Sequence, residues 1–298
     1  MEINMQLTVF TPAYNRADLL PRCYESMKRQ TNQNFIWLII DDGSTDNTRK
    51  LVESWIREPL GFELRYIYKE NGGLHTAYNE AIANIDTELC VCIDSDDFMP
   101  DDAVERILNF WALHGTNEVA GIVGLDFDLD GNCLGDPLPD RKTVNLIDLL
   151  VGKYPIRNLD RTNVVRTELY KKYAPMPSFD GEKNFNPHYM HLQISTEYDF
   201  LVMNENLRFV EYQPGGMTSN ILRQFRNSPN SFAETRKLYL SFPATGMKFR
   251  FRHSMHYVSS CIFAKKRNML KESPAKLLTI AAILPGIALN LYIRFKTR

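Results

Sequence analysis

Cys92-Ile93-Asp94-Ser95-Asp96-Asp97 carries an apolar run straight into three carboxylates, two of which, Asp94 and Asp96, stand at i and i+2 and project to one side of an extended chain. Residues 89–93 read as a buried strand. Carboxylates crowded at its end are costly without cations, and hard divalent ions such as Mg²⁺ or Mn²⁺ take oxygen ligands that they share with substrate phosphates. One or two carboxylates plus a diphosphate would complete such a shell. A lone run of this kind reads equally well as the acidic approach to a capped helix beginning at Asp101, so the surrounding sequence decides.

The same pattern recurs upstream. Residues 7–11 form a short apolar segment ending at Pro12, and residues 35–40 a second one ending in Asp41-Asp42-Gly43-Ser44; both read as buried strands with polar carboxyl ends. Helical spacing runs over residues 18–30 between them, and Ser44 or Thr45 is placed to cap a helix reaching Trp55. Residues 63–68 give a third strand, 76–84 a helix, 89–93 the fourth strand and 101–114 another helix. Strands alternating with helices in this way predict an α/β fold: a doubly wound, mostly parallel sheet with helices on both faces and ligands at the carboxyl ends of its strands. The Gly/Asp/Pro-rich stretch 126–139 is expected to be an exposed turn or hairpin, and the first boundary is placed near it.

At 298 residues and 44% hydrophobic content the chain is long enough for one large α/β domain or two modest ones. Its five cysteines are odd in number and scattered, and Cys90 and Cys92 lie two apart in one apolar run, which disfavours a disulfide framework and fits a reducing compartment. The start is polar, with Glu2, Asn4 and Gln6, so no cleaved leader is expected and the body should face the cytoplasm. The net charge of −1 conceals an asymmetry. Residues 215–298 hold 15 Lys/Arg against Glu234 and Glu272, a balance of +13, which leaves −14 on residues 1–214. A basic tail attracts an anionic partner, and the acidic remainder argues against nucleic acid as substrate, so a membrane surface is the favoured partner.

Four segments share the order and strand-end setting of one known pattern: Phe10-Thr11-Pro12-Ala13-Tyr14-Asn15-Arg16, Ile40-Asp41-Asp42-Gly43-Ser44, Asn71-Gly72-Gly73-Leu74-His75 and the acidic run ending at Asp97. With them the chain resembles the family 2 glycosyltransferases of bacterial surface-polysaccharide type, over roughly residues 5–215. The resemblance implies a GT-A fold with a helical basic extension. It divides the chain into a nucleotide-sugar-binding part (1–130), an acceptor-binding part (131–220) and a helical basic region (221–298). It further implies a UDP-sugar donor and a divalent cation held by Asp94 and Asp96, with Asp97 as a direct or supporting ligand and Ser95 beside the donor. Asp42 matches the carboxylate that reads uracil, a sound choice because it accepts from a ring NH and repels the acceptor nitrogen of cytosine. Thr11, Pro12, Tyr14 and Asn15 match the segment that packs on the nucleoside, and Arg16 is a candidate phosphate contact. Asn71, Gly72 and Gly73 suit a close backbone approach to the donor, glycine having no side chain to obstruct it. His75 is a candidate ribose or phosphate contact; many relatives carry a basic residue where this chain has Leu74.

The implied reaction inverts the anomeric carbon by direct displacement, with a base on the acceptor side and the metal stabilising the departing UDP. Relatives supply the base from a Glu-Asp pair. The matching stretch here is Phe179-Asp180-Gly181-Glu182-Lys183-Asn184-Phe185, with lysine in the second place, so Glu182 is the first candidate, followed by Asp180 and His188. The pairs His188/His191 and His253/His256 have helical i, i+3 spacing but no third ligand, and zinc is not expected. The altered Glu-Asp pair keeps a non-catalytic nucleotide-sugar-binding scaffold as an alternative; a nucleotidyltransferase is disfavoured because no Gly-rich basic loop follows the first strand. The resemblance implies a glycan or lipid-linked acceptor.

Residues 277–293 carry no charge, are interrupted by Pro285-Gly286, and are flanked by basic residues on both sides. A membrane-crossing helix needs about 20 apolar residues. Peripheral docking of residues 265–298 on an anionic inner membrane face is therefore expected. The competing expectation is a helix pair packed on the catalytic domain or on another subunit of a homo-oligomer.

Overall fold

All seven residues of β1 (Leu7–Ala13) and all seven of β2 (Phe35–Asp41) are buried, as strands covered on both faces must be, and their near-continuous apolar sequences follow from that. The structure, a computed structural model, describes residues 6–157, 160–211, 213, 220–243 and 245–298; Glu2 and Asn4, which bear on the expected lack of a leader, lie outside them. The remaining strands are β3 (Glu63–Tyr68), β4 (Leu89–Cys92), β5 (Val119–Phe127), β6 (Thr143–Val144), β7 (Thr162–Arg166) and β8 (Asp199–Phe209). Between them lie α1 (Leu20–Lys28), α2 (Thr48–Trp55), α3 (Leu74–Asn84), α4 (Ala103–His114), α5 (Leu146–Leu150), α6 (Thr167–Tyr173) and α7 (His188–Ile194). The chain continues through α8 (Ile221–Asn227), α9 (Pro229–Ser241), α10 (Met247–Phe263), α11 (Met269–Glu272), α12 (Lys276–Ala281) and α13 (Ile283–Lys296).

The eight strands form one sheet in the order β3-β2-β1-β4-β7-β5-β8-β6. Pairs β1·β2, β1·β4, β2·β3 and β5·β8 are parallel, whereas β7 runs antiparallel between β4 and β5, and β6 antiparallel on β8. The sheet therefore draws strands from both sides of residue 130. One face packs Leu7, Val9, Trp37 and Val91 against Leu20 and Met27 of α1, Trp55 of α2, and Ile107 and Trp111 of α4. On the other face α3 closes over β1, with Tyr78 edge-on to Phe10 at 5.0 Å. Helices cover both faces, as the alternation predicted. Residues 128–132 make the expected turn, closed by Asp128 accepting from the backbone N–H groups of Asp130 and Asn132.

The chain divides into two compact units: residues 1–175 with 190–212, which hold the sheet, and residues 176–189 with 213–298. The second unit is helical. Its core brings Ala233 and Leu240 of α9 together with Tyr257 and Cys261 of α10 and Ala275 before α12, and Tyr257 donates to the Met269 carbonyl at 3.0 Å. All five cysteines are free thiols. No helix among the described residues is long and apolar enough to cross a membrane.

Candidate active site

Because β1, β2 and β4 run parallel, their carboxyl ends open on the same edge of the sheet, and the signature segments gather there. Asp42 follows β2 directly and is buried. Its Oδ1 accepts from the Gly72 N–H at 2.9 Å and from Lys69 Nζ at 2.6 Å; its Oδ2 accepts from the Gly73 N–H at 2.7 Å and from Asn71 Nδ2 at 3.2 Å. A carboxylate offers about four lone-pair positions, so this one is saturated by the 69–73 segment. The glycines are needed for this packing. Gly73 has φ +97°, a Cβ on Gly72 would stand 2.5 Å from Thr76 Oγ1, and a Cβ on Gly43 would stand 2.7 Å from the Asn71 nitrogen. The first carboxylate, Asp41, holds Tyr66 Oη at 2.6 Å and the Ser44 N–H at 2.7 Å. Lys69, which donates also to Thr76 Oγ1 at 2.8 Å, was missed in the sequence; an exposed-looking lysine at a strand end carries no signal until its partner is known.

After β1, Asn15 adopts φ +53°, and its side-chain oxygen accepts from the Thr45 N–H at 2.8 Å while its own N–H donates to Ser44 Oγ at 2.9 Å. Arg16 N–H donates to Thr48 Oγ1 at 2.9 Å and Ala17 N–H to Asp46 at 3.1 Å. The loop after β1 is thus fastened to the loop after β2. Tyr14 is exposed beside it, the only large aromatic of this loop facing solvent, and the Arg16 side chain is half-buried. Pro12 is buried in the strand, and Thr11 points into the core, accepting from Trp37 Nε1 at 2.9 Å. His75 is buried under the start of α3.

The acidic run makes a tight turn after β4, closed by Asp97 N–H donating to the Asp94 carbonyl at 3.0 Å. Exposure alternates along it: Asp94 and Asp96 are half-exposed, Ser95 and Asp97 buried. Beneath lies a group the linear reading did not contain. Arg208 of β8 stands 3.4 Å from both Asp94 Oδ2 and Asp97 Oδ2 and forms a close ion pair with Asp126 of β5. Asp126 is fully buried and also accepts from Thr162 Oγ1 at 2.6 Å. Burial pushes the Asp97 carboxyl up to about 8; Arg208 pulls against it, and the charges of Asp94, Asp96 and Asp126 add to the rise. Asp94 keeps an exposed edge, yet loss of water around it raises its carboxyl as well, again against Arg208. Arg208 itself is held charged: burial alone would lower it, but Asp126, Asp97 and Asp94 outweigh that. The loop is braced from outside by Arg22, which donates to the Asp96 carbonyl and pairs with Glu211 at 2.6 Å, and by Phe98 stacked on Phe209 at 5.0 Å.

One arginine among four carboxylates leaves the cluster anionic, and carboxylates whose charge is disfavoured by burial fit a hard divalent ion offered from outside. Among the described residues no three His, Cys, Asp or Glu side chains converge tightly enough to enclose an ion unaided. The set fits an ion that takes one or two protein oxygens and completes its shell on a diphosphate.

The other predicted residues lie in the helical unit. Glu182 is buried, and its two oxygens accept from the N–H of Asn230 and Asn230 Nδ2 at 2.8 Å each, the N–H of Ser231 at 2.8 Å and Ser231 Oγ at 2.7 Å. It anchors the first turn of α9, where the helix dipole favours an anion. Asp180 is exposed. His188 opens α7, its N–H donating to Asn186 Oδ1 at 2.8 Å, and burial pushes its imidazole down to about 4.

A sheet of this order, wrapped by helices and followed by an acidic turn after its fourth strand, is the GT-A fold that the resemblance implied. Residues 8–143 match the family described as Glycosyl transferase family 2. Chondroitin synthase from Escherichia coli is 32% identical over 131 residues, 44% of this chain and 19% of that protein. A structure of S. aureus TarS in complex with UDP superposes with a TM-score of 0.61 over 99% of this chain and 92% of that one, at 15% identity. The mannosyltransferase PcManGT from Pyrobaculum calidifontis, in complex with GDP-Man and Mn²⁺, gives 0.58 over 98% and 82%, at 18% identity. The chain spans between 10% and 38% of the length of the curated relatives it matches.

Proposed function

We propose that the chain transfers a sugar, with inversion, from a UDP-sugar to a hydroxyl of a glycan or lipid-linked acceptor in cell-surface polysaccharide assembly, at the inner face of the membrane. The observation that carries this reading is the anionic turn after β4, with Asp94 and Asp96 directed outward and Asp97 behind them. Bound there, Mn²⁺ or Mg²⁺ would neutralise charge developing on the departing diphosphate. Asp94 and Asp96 would hold that ion. Arg208 pairs with Asp126 as well as with Asp94 and Asp97, and its buried Nε, which has no partner among the described residues, is a donor in reserve for an anionic ligand. Tyr14 covers the nucleoside, and the Gly72-Gly73 backbone, fixed by Asp42, lies along the donor. The ring N–H of uracil takes over the weak 3.2 Å position of Asn71 on Asp42 Oδ2. Of the candidate bases, Asp180 is the exposed carboxylate, while Glu182 keeps its oxygens on α9.

The nucleotides named with the two structural neighbours differ, UDP in one and GDP-Man in the other, so donor choice is the informative test. Purified protein is incubated with a panel of UDP-sugars and with GDP-mannose, with Mn²⁺ or with EDTA, and nucleoside diphosphate release is followed. UDP release from one UDP-sugar that stops with EDTA is expected, and Asp94→Asn should reduce it by roughly 10²-fold or more. Turnover of GDP-mannose in preference to UDP-sugars, or turnover indifferent to EDTA, refutes the proposal.

A further inference from the structure

Helices α12 and α13 turn most of their large apolar side chains outward. Separated only by Ala282, they run almost continuously from residue 276 to 296, about 30 Å at helical rise. Their buried side carries polar groups: Thr279 is 0% exposed and bonded to Ser273 Oγ at 2.6 Å, and Asn290 is 3% exposed and donates to the Ser259 carbonyl of α10 at 3.1 Å. Gly286 lets α13 close on α10, since a Cβ there would stand 2.6 Å from Val258. The outer side is apolar. Leu277 (84% exposed), Leu284 (79%), Leu291 (61%) and Phe295 (69%) stand at intervals of seven, seven and four residues, which on an α-helix is a single line, with Ile280 and Ile287 beside it. A contiguous apolar stripe of this length is unusual on a free surface.

The charges at its ends say what covers it. Lys276 lies at one end and Arg294, Lys296 and Arg298 at the other, all exposed, and residues 273–298 contain no acidic residue. Two copies packed through this stripe about a two-fold axis would bring cation to cation at both ends in the antiparallel arrangement and at each end in the parallel one. A plane of anionic headgroups meets both ends at once and takes the leucines into its acyl boundary. We propose that the Leu277–Leu284–Leu291–Phe295 stripe is the surface on which this chain lies on an anionic lipid bilayer. The proposal rests on the reading of a membrane-linked acceptor, and gives that reading a face and an orientation: α13 parallel to the membrane plane, α10 behind it.

The test is flotation of the full chain with vesicles of phosphatidylcholine alone and of phosphatidylcholine with phosphatidylglycerol, alongside light scattering for mass. Wild type should float with the anionic vesicles and far less with the neutral ones. Leu284→Glu/Leu291→Glu, both at exposed positions, should lose about tenfold or more of vesicle binding while keeping the circular dichroism of the parent. Lys276→Gln/Lys296→Gln/Arg298→Gln should lose the preference for anionic lipid. Flotation that is absent in wild type, or unaltered in the leucine pair, overturns the proposal. So does a wild-type dimer that the leucine pair converts to monomer without any lipid binding, which would make a second copy the occupant. UDP release by each variant is read in parallel without vesicles: its absence in every protein, wild type included, refutes the transferase reading while leaving the flotation result to decide the surface.

Discussion

Replacing Arg208 by methionine isolates the internal cation of the acidic turn. Arg208 neutralises Asp126, which has no exposed surface and, among the described residues, has Thr162 Oγ1 as its other side-chain partner, and it faces Asp94 and Asp97 at 3.4 Å. Removing one member of a buried pair costs about 3–5 kcal/mol, because the other charge is left desolvated. For a chain of this size about 1 kcal/mol moves the melting temperature by roughly 2–4 °C, so Arg208→Met should melt about 10 °C below wild type in differential scanning fluorimetry. Asp126→Asn removes the stranded charge, and the double variant should regain part of the loss, with a coupling of about 1–3 kcal/mol. Mn²⁺ should raise the melting temperature of Arg208→Met more than that of wild type, since a cation at Asp94 and Asp97 substitutes for the missing one. A melting temperature for Arg208→Met within about 2 °C of wild type, or strict additivity in the double variant, would refute the assignment of Arg208 as counter-ion.

Gly72→Ala places a Cβ 2.5 Å from Thr76 Oγ1, which itself receives Lys69, so the donor loop must shift; the KM for donor should rise about tenfold with melting little altered. Glu182→Gln turns donor against donor at the start of α9 and should cost about 1–3 kcal/mol in urea unfolding, whereas Asp180→Asn should leave stability intact and lower turnover by about 10²- to 10⁴-fold. Near-normal turnover in Asp180→Asn removes it as the base. His253 is buried beside Arg236, and burial first, then Arg236, His256 and Arg252, push its imidazole down to about 3. An unfolded histidine protonates near 6.5, so the stability of the neutral buried form is complete above that pH and falls as pH drops toward about 3. Between pH 7 and pH 5 the helical unit should lose about 2 kcal/mol through this group, and His253→Phe should flatten that part of the slope. An unchanged slope would mean that His253 is not kept neutral.

The strands β1 to β4 were legible because each is a buried apolar run stopped by polar residues. The 63–68 expectation coincides with β3, and the other three differ from the strands observed only in where the last residue falls, Ala13 against Thr11, Asp41 against Ile40 and Cys92 against Ile93. The antiparallel insertion of β7 between β4 and β5 was not legible, since Thr162–Arg166 is five residues with no turn signal tying it to either neighbour. The acidic turn was found from its own sequence, but its counter-ion was not: Arg208 is 114 positions from Asp94 and meets it only because β8 pairs with β5. Glu182 is the first candidate base in the sequence because its stretch matches the one in which relatives carry a Glu-Asp pair. Its hold on a helix 48 positions away leaves no local trace. The C-terminal helices were visible as an uncharged stretch, whereas which side is dry followed only from seeing Asn290 and Thr279 turned inward.

The grip of Asp42 on the two glycine amides has an architectural corollary. The polypeptide leaves the sheet at Asp42, makes α2 and β3, and returns to the same side chain about thirty positions later, so both ends of the excursion are buttoned to one point. The exposed bend between α2 and β3 can therefore vary in length without transmitting a displacement to the returning segment. A short insertion in the exposed bend at Arg57–Pro59 should therefore be tolerated, whereas lengthening the Lys69–Asn71 span by a single residue would unfasten the rim altogether.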